Sequence, residues 1–394
     1  MILGGDHFTI PVVEAAHKQG YYVITCDYLP DNVAHKVSDE FINYSTTDKE
    51  GILEWAKNNP IDGVVTFTDS GVVTTAYLQH HLGLPQIGPL ESVKILQNKA
   101  KFRQFLTDNG FAVPKAKGFS RKEDALALKD FFTLPVMVKP VDAAGSKGVT
   151  KVSDWSELEA AIDWAIQFSF SGDFIIESFI EKKGCSSDCD CFSVDGQFKF
   201  ISFSAQRFDT NVVGEYAPAA YSWPSTLGTE AEEILSKELQ RLITLLGMKT
   251  TVYNVETRVG TDGKPYIMEI SPRGGGNRLS EMMRFATGVD MITGAVRAAV
   301  GDPVYDIEQK PLNGYWAEII VHADKTGVLD RIEVDQEYEP YVIEKDFWFK
   351  RGDEMKEFQS ARDAIGTLVL KFDNSDKLEY AITHQREWLR IVVK

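Results

Sequence analysis

Residues 1–92 alternate strand-like and helix-like segments, and this rhythm is what most narrows the folds open to the chain. MILGG forms a short first strand, and IPVVEAAHKQG an amphipathic helix ended by Gly20. YYVITCD is a second strand closing at Asp27, KEGILEWAKNN a second helix, and GVVTF a buried strand. Strands separated by a helix cannot pair as hairpins. They return across the sheet and run parallel, with ligand-facing loops at their C-terminal ends. Gly4 and Gly5 follow the first strand, which makes a dinucleotide site conceivable. No third glycine completes GxGxxG, so a tight turn is the favoured reading.

Beyond residue 93 the texture changes to mixed α+β. SVKILQNKAKFRQFLTDNG reads as one helix carrying Lys99, Lys101 and Arg103 and stopped by Gly110. FAVPKAKGF is extended, ALALKDFF helical, and VMVKP a strand. KVSDWSELEAAIDWAIQF is a helix capped by Ser153 or Asp154. FIIESFI is a buried strand, and DCDCFSVDGQFKFISFS a hairpin turned at Asp-Gly. TEAEEILSKELQRLITLLG is a long amphipathic helix, and TTVYNVETRVGTDGKPYIMEIS two strands joined through TDGKP. Residues 301–394 are strand-rich, with a helix-like SARDAIGTLV and a final WLRIVVK strand. Neither repeats nor low-complexity tracts interrupt this order.

A formal net charge of −16 argues against a nucleic-acid or membrane-surface partner, since both need a basic face. A phosphate ligand would have to be held locally, by lysines, arginines and glycine-loop N–H groups. The opening MILGGDHFTIPVVEAA has no basic leader and no run long enough to span a bilayer, so a cytoplasmic location is expected. Cysteines at 26, 185, 189 and 191 match no zinc spacing and read as small strand residues, reduced in the cytoplasm.

Several separated segments point to one chemistry. Lys139 ends an apolar strand just before AAGSKGV, a loop that lacks the GxxxxGK[ST] order of a P-loop. Lys147 in that loop is equally a ligand contact or a solvated charge. Glu256 and Glu269 lie on paired strands, where they can face one side and share Mg²⁺ that bridges phosphates. Arg273 and three glycines follow at once.

The ordered set Lys99, Lys139, the glycine loop, Glu177-Ser-Phe-Ile, Glu256 and MEISPRGGG resembles the ATP-grasp superfamily over nearly the whole chain. The relatives in view are biotin carboxylase, D-alanine–D-alanine ligase and the carbamoyl-phosphate synthetase large subunit. The resemblance implies a parallel-sheet pre-ATP-grasp domain over 1–92, a two-lobed ATP-grasp domain over 93–300 and a strand-rich C-terminal subdomain over 301–394. It implies ATP and Mg²⁺, with Mn²⁺ as the alternative ion. Lys99 and Lys139 would meet the phosphates, and Gly145, Ser146 and Gly148 would form the flap over them. Glu177, Ser178, Phe179 and Ile180 would receive adenine through main-chain groups. Gly184 stands where an acid often binds ribose, leaving Glu181 or Asp188 for that contact.

Glu256 and Glu269 would hold the metal. Ser271 stands where the third ligand is usually Asn, with water or Asn254 as substitutes. Arg273 would steady the acyl phosphate and its adduct. Gly274, Gly275, Asn277 and Arg278 would line the substrate side, and QRFDTNVVGEYAPAAYSWP, with Arg207 and Glu215, would supply a further substrate loop. The implied reaction activates a small carboxylate, such as an amino acid, for attack by an amine. The alternatives are a bicarbonate-using enzyme and an ATP-binding module without catalysis. Small-molecule carboxylate and amine substrates are the expected partners, and a homodimer is compatible with the resemblance.

Overall fold

A computed structural model describes every residue except Ala144, Ser146 and 214–216, and omits the side chain of Ala361. The chain divides into two compact units. One comprises residues 1–183, 189–202 and 229–310; the other comprises 184–188, 203–228 and 311–394.

The first unit begins with four short strands, β1 (Ile2–Leu3), β2 (Ile24–Cys26), β3 (Glu40–Ile42) and β4 (Val65–Thr66), in the order β3-β2-β1-β4. All three pairings are parallel, as the alternation requires. Helix α1 (Ile10–Lys18) connects β1 to β2, a short 3-10 turn (Val33–Lys36) connects β2 to β3, α2 (Lys49–Asn58) connects β3 to β4, and α3 (Val72–Leu82) follows β4. Leu3, Cys26, Ile42, Ile52, Val64 and Leu78 close the core between sheet and helices. The sequence reading did not mark β3 or α3, because Glu40–Ile42 is too short to alternate and VVTT opens α3 with β-branched residues.

The single helix expected over SVKILQNKAKFRQFLTDNG is two, α4 (Leu90–Leu96) and α5 (Lys99–Asp108). Asn98 breaks them: its backbone is extended, and its side chain caps α5 by accepting the Lys101 N–H at 3.0 Å. Lys99 is therefore the first residue of a helix, and its own N–H donates to the carbonyl of Val141 at 2.8 Å.

The next sheet contains β5 (Ala116–Phe119), β6 (Val136–Pro140), β7 (Thr150–Val152) and β8 (Phe174–Ser178), ordered β5-β8-β6-β7 and antiparallel. Helix α6 (Lys122–Ala127) starts ahead of the expected ALALKDFF segment. Helix α7 (Leu158–Phe168) covers the sheet, burying Leu158, Ile162 and Ala165 against Val136, Val138, Phe174 and Ile176. Asp154 caps the turn that opens α7, in a reciprocal box with Glu157.

A third sheet, in the order β10-β9-β13-β14, uses β9 (Ser187–Val194), β10 (Gln197–Phe200), β13 (Thr251–Val259) and β14 (Pro265–Ser271). Asp195 and Gly196, both at positive φ, make the expected turn between β9 and β10. Helices α8 (Thr229–Leu245), α9 (Leu279–Thr287) and α10 (Met291–Val300) complete this unit.

The second unit is built on a five-stranded sheet, β11-β12-β15-β19-β17, formed by β11 (Ala205–Phe208), β12 (Pro218–Trp223), β15 (Tyr315–His322), β17 (Val342–Phe347) and β19 (Ala364–Phe372). A three-stranded sheet contains β16 (Gly327–Val334), β18 (Glu354–Met355) and β20 (Leu389–Val393). The helix expected at SARDAIGTLV is instead strand β19, buried between β15 and β17. The helix falls later, at α11 (Ser375–Thr383), capped by Asn374 and followed by the short α12 (Gln385–Trp388). Among the described residues, no helix is long and apolar enough to cross a membrane.

Candidate active site

The antiparallel register of β13 and β14 sets Glu256 opposite Glu269 and Asn254 opposite Ser271. Alternation then puts these side chains on one face, half-exposed at Asn254, Glu256 and Glu269 and buried at Ser271, while Val255, Thr257 and Val259 point into the core. Like charges directly across a strand pair repel and destabilise it. Here each carboxylate has a cation: Arg258 Nη2 donates to Glu256 Oε1 at 3.0 Å, and Lys99 Nζ lies 3.4 Å from Glu269 Oε2. The Nε of Arg258 is buried with no partner of its own.

This donor set fits Mg²⁺. Among the described residues no group of three or more His, Cys, Asp or Glu could hold a metal alone. The chain offers two carboxylates, and substrate oxygens and water would complete the shell, which is how Mg²⁺ is commonly held at phosphate sites.

Lys139 connects to the same place. Register places Glu177 diagonally across from it, opposite Met137, and the two side chains form an ion pair. The second oxygen of Glu177 accepts from Arg103 Nε at 2.8 Å, and Arg103 Nη1 donates to the carbonyl of Met268 at 2.8 Å, one residue before Glu269. Burial would push the Glu177 carboxyl up, but Arg103 and Lys139 hold it down to about 2. Lys139, Glu177, Arg103, Met268, Glu269 and Lys99 thus form one linked series within a single unit. Lys99 Nζ also donates to the carbonyl of Ala143 at 2.9 Å, at the start of the glycine loop.

In that loop Gly145 and Gly148 both take positive φ. A Cβ at Gly145 would meet nothing within 4 Å, whereas one at Gly148 would lie 3.0 Å from Phe168. Ser146 lies outside the described residues. In the segment expected to receive adenine, the Ser178 and Phe179 N–H groups donate to Lys115 and Pro135 carbonyls. Lys151 Nζ sits 4.0 Å from the centre of the Phe179 ring.

Arg273 is held by a residue that the sequence reading missed. Its Nε and Nη2 donate to the two oxygens of Asp69 at 2.8 and 2.7 Å, and Nη1 donates to the carbonyl of Gly274 at 2.8 Å. Asp69 lies on the loop after β4, so the parallel sheet reaches this site directly. Burial would raise its pKa, but Arg273 and then Lys99 keep it below the usual carboxylate range. Ser271 faces the same group: its hydroxyl donates to Asp69 at 3.3 Å and accepts from Gln97 Nε2 at 2.8 Å.

The glycines after Arg273 are required by close approach. A Cβ on Gly274 would lie 2.0 Å from the Phe67 ring, and one on Gly275 would lie 2.7 Å from Asp190 Oδ1. Asp190 is a second missed residue. It is fully buried and accepts from the Gly275 N–H at 2.9 Å, from Asn254 Nδ2 at 3.3 Å and from the Ser280 hydroxyl. Burial raises its carboxyl to about 6. Its place between Cys189 and Cys191 on a strand buried on both faces was the available signal. Asn277 and Arg278 both take positive φ, and Arg278 pairs with Glu281 at 3.0 Å.

Two expected contacts lie in the second unit. Asp188 accepts from the Tyr221 hydroxyl at 3.0 Å. Arg207 makes a two-pronged ion pair with Glu379, at 2.8 and 2.7 Å, and the segment expected as a substrate loop begins in strand β11 and ends in strand β12. Glu215 lies outside the described residues.

A sequence profile of the ATP-grasp domain matches residues 96–277, and one of the ATP-grasp N-terminal domain matches residues 13–86. The chain belongs to the ATP-grasp superfamily. Among curated relatives of this ATP-grasp chain is an uncharacterised protein, y4rH, of Sinorhizobium fredii. It is 26% identical over 308 residues, covering 75% of this chain and 61% of the relative. The carbamoyl phosphate synthase large chain of Ralstonia nicotianae is 22% identical over 319 residues, covering 76% of this chain but 29% of the relative. The chain thus spans only part of the length of both. In fold it is similar to the crystal structure of an L-amino acid ligase from Bacillus licheniformis. The TM-score is 0.81 at 20% identity, with 100% of this chain and 98% of that one covered.

Proposed function

We propose that this ATP-grasp chain is an ATP-dependent ligase forming carbon–nitrogen bonds. A substrate carboxylate would attack the γ-phosphate of ATP, releasing ADP and leaving an acyl phosphate. An amine would then displace phosphate. The observation that carries this reading is the opposed pair Glu256 and Glu269, each balanced by a cation and joined through Lys99 and Arg103 to Lys139. A fold with no use for metal-bound phosphate has little reason to keep two carboxylates face to face.

In this reading Glu256 and Glu269 would hold Mg²⁺, which when bound supplies charge neutralisation to the phosphates. Lys99 and Lys139 would donate to the triphosphate, exchanging their present carboxylate partners for phosphate oxygens. Arg273, aimed by Asp69, would donate to the acyl phosphate and its adduct. The likeness in fold to an L-amino acid ligase supports an amino acid as the carboxylate. The similarity to a carbamoyl phosphate synthase large chain favours bicarbonate as the second candidate.

Phosphate release from Mg·ATP, screened over pairs of amino acids and over bicarbonate with ammonia, tests this. Lys139→Ala and Glu269→Ala should each lower turnover at least about a hundredfold, as loss of preorganised charge does, while the fold survives by circular dichroism. Full activity in either variant would sink the assignment. Tight Mg·ATP binding with no turnover on any pair would favour a binding module instead.

A further inference from the structure

The bond pattern around Ser271 assigns it a different task from metal binding. A hydroxyl has one hydrogen and two lone pairs. The hydrogen of Ser271 goes to Asp69 and one lone pair takes Gln97 Nε2, so the group is engaged inside the protein. Asp69 gathers three donors, Arg273 Nε, Arg273 Nη2 and Ser271 Oγ, at 2.8, 2.7 and 3.3 Å. A guanidinium gripped by two parallel bonds cannot rotate in its plane or tilt without breaking both. With Nη1 also donating to Gly274, the plane of the Arg273 guanidinium is fixed.

We propose that Gln97, Ser271 and Asp69 form a latch that positions Arg273 and offsets its charge, with Asp69 as the positioning residue. This rests on the ligase reading for its purpose, but the latch itself is testable without any nucleotide. A guanidinium paired with a carboxylate is a directed hydrogen-bond donor with little net charge, so it can release an anion. The same guanidinium without that carboxylate keeps more of its positive charge and holds a small anion more tightly. Asp69 therefore keeps product phosphate from being retained at Arg273, and it does so from the loop after β4, outside the segment that carries Arg273.

Inorganic phosphate titrated calorimetrically into the full chain, without nucleotide, is the probe. Asp69→Asn keeps the shape and one acceptor but removes the charge. It should bind phosphate at least fivefold more tightly than the wild type, and Asp69→Asn combined with Arg273→Ala should lose that gain. Unchanged phosphate affinity in Asp69→Asn, or an equal gain in the double variant, overturns the latch. Were Asp69→Asn not to fold, the Arg273 Nε–H signal of the wild type decides. Slow solvent exchange, accelerated in Ser271→Ala, supports the latch, and fast exchange in the wild type overturns it. Phosphate release by the wild type from Mg·ATP with carboxylate and amine pairs reports on the ligase reading alone, so the two can fail independently.

Discussion

Glu177 has Arg103 Nε at 2.8 Å on one oxygen and Lys139 on the other, with its side chain removed from water. Its role shows why the residue types of this site were legible and their partners were not. VMVKP and FIIES announce a lysine-ended strand and a buried strand, but the diagonal pairing of Lys139 with Glu177 follows from a register that neither segment encodes alone. The pair also makes a pH prediction. The carboxyl titrates at about 2 in the folded chain against an ordinary 4.5, so Glu177 contributes stability that is fully present above pH 4.5 and is lost as pH falls toward 2. Glu177→Gln leaves Arg103 and Lys139 without a counter-charge and should cost about 3–5 kcal/mol at pH 7, the usual range for breaking a buried pair. Urea unfolding at pH 7 and pH 3 checks both points. The variant should lose less stability over that interval than the wild type, and an equal loss would show that Glu177 does not govern it.

At the scale of elements, the misread segments share a cause. SARDAIGTLV looks helical because Ala, Arg and Leu favour helices and its apolar residues also fit a helical spacing. In the fold, Ile365, Thr367 and Val369 alternate along β19, and every residue from Ala364 to Leu370 is buried, so no exposed face exists to betray the strand period. The break between α4 and α5 was hidden for the opposite reason: its signal is the one side chain of Asn98, with no proline or glycine to mark it. The β13–β14 hairpin, by contrast, was readable because one face is half-exposed and its period survives in the sequence. The central place of β19 makes it intolerant of added volume. A Cβ on Gly366 would lie 2.5 Å from the Asp346 carbonyl oxygen and 2.8 Å from Phe347 Cα, both backbone atoms of the neighbouring β17. Gly366→Ala should therefore lose about 1–3 kcal/mol, as overpacked sites do. A thermal melt unchanged from wild type would show that the sheet yields at that point.

Across the whole molecule, a net charge of −16 must be reconciled with a triphosphate ligand. The candidate site does so only in part. Lys99 is paired with Glu269, Arg258 with Glu256 and Arg273 with Asp69, while Arg103 and Lys139 share Glu177. Among these paired groups five cations face four carboxylates, a surplus of one positive charge, which falls far short of what a nucleotide tail brings. Two of the carboxylates, Glu256 and Glu269, stand side by side, so the missing charge has an obvious place to enter as a divalent cation. Nucleotide binding should then depend steeply on the metal. At a Mg·ADP concentration of 100 times the dissociation constant, mass action stabilises the fold by about 2.7 kcal/mol, which a melting curve resolves as a shift of several degrees. ADP with excess chelator should give almost none of it, because one surplus positive charge cannot offset the nucleotide's own charge beside two carboxylates. Glu256→Gln with Glu269→Gln should reverse the order, binding metal-free ADP better than the wild type while losing the response to Mg²⁺. Equal shifts for ADP with and without the metal would mean that charge balance at this hairpin does not govern recognition.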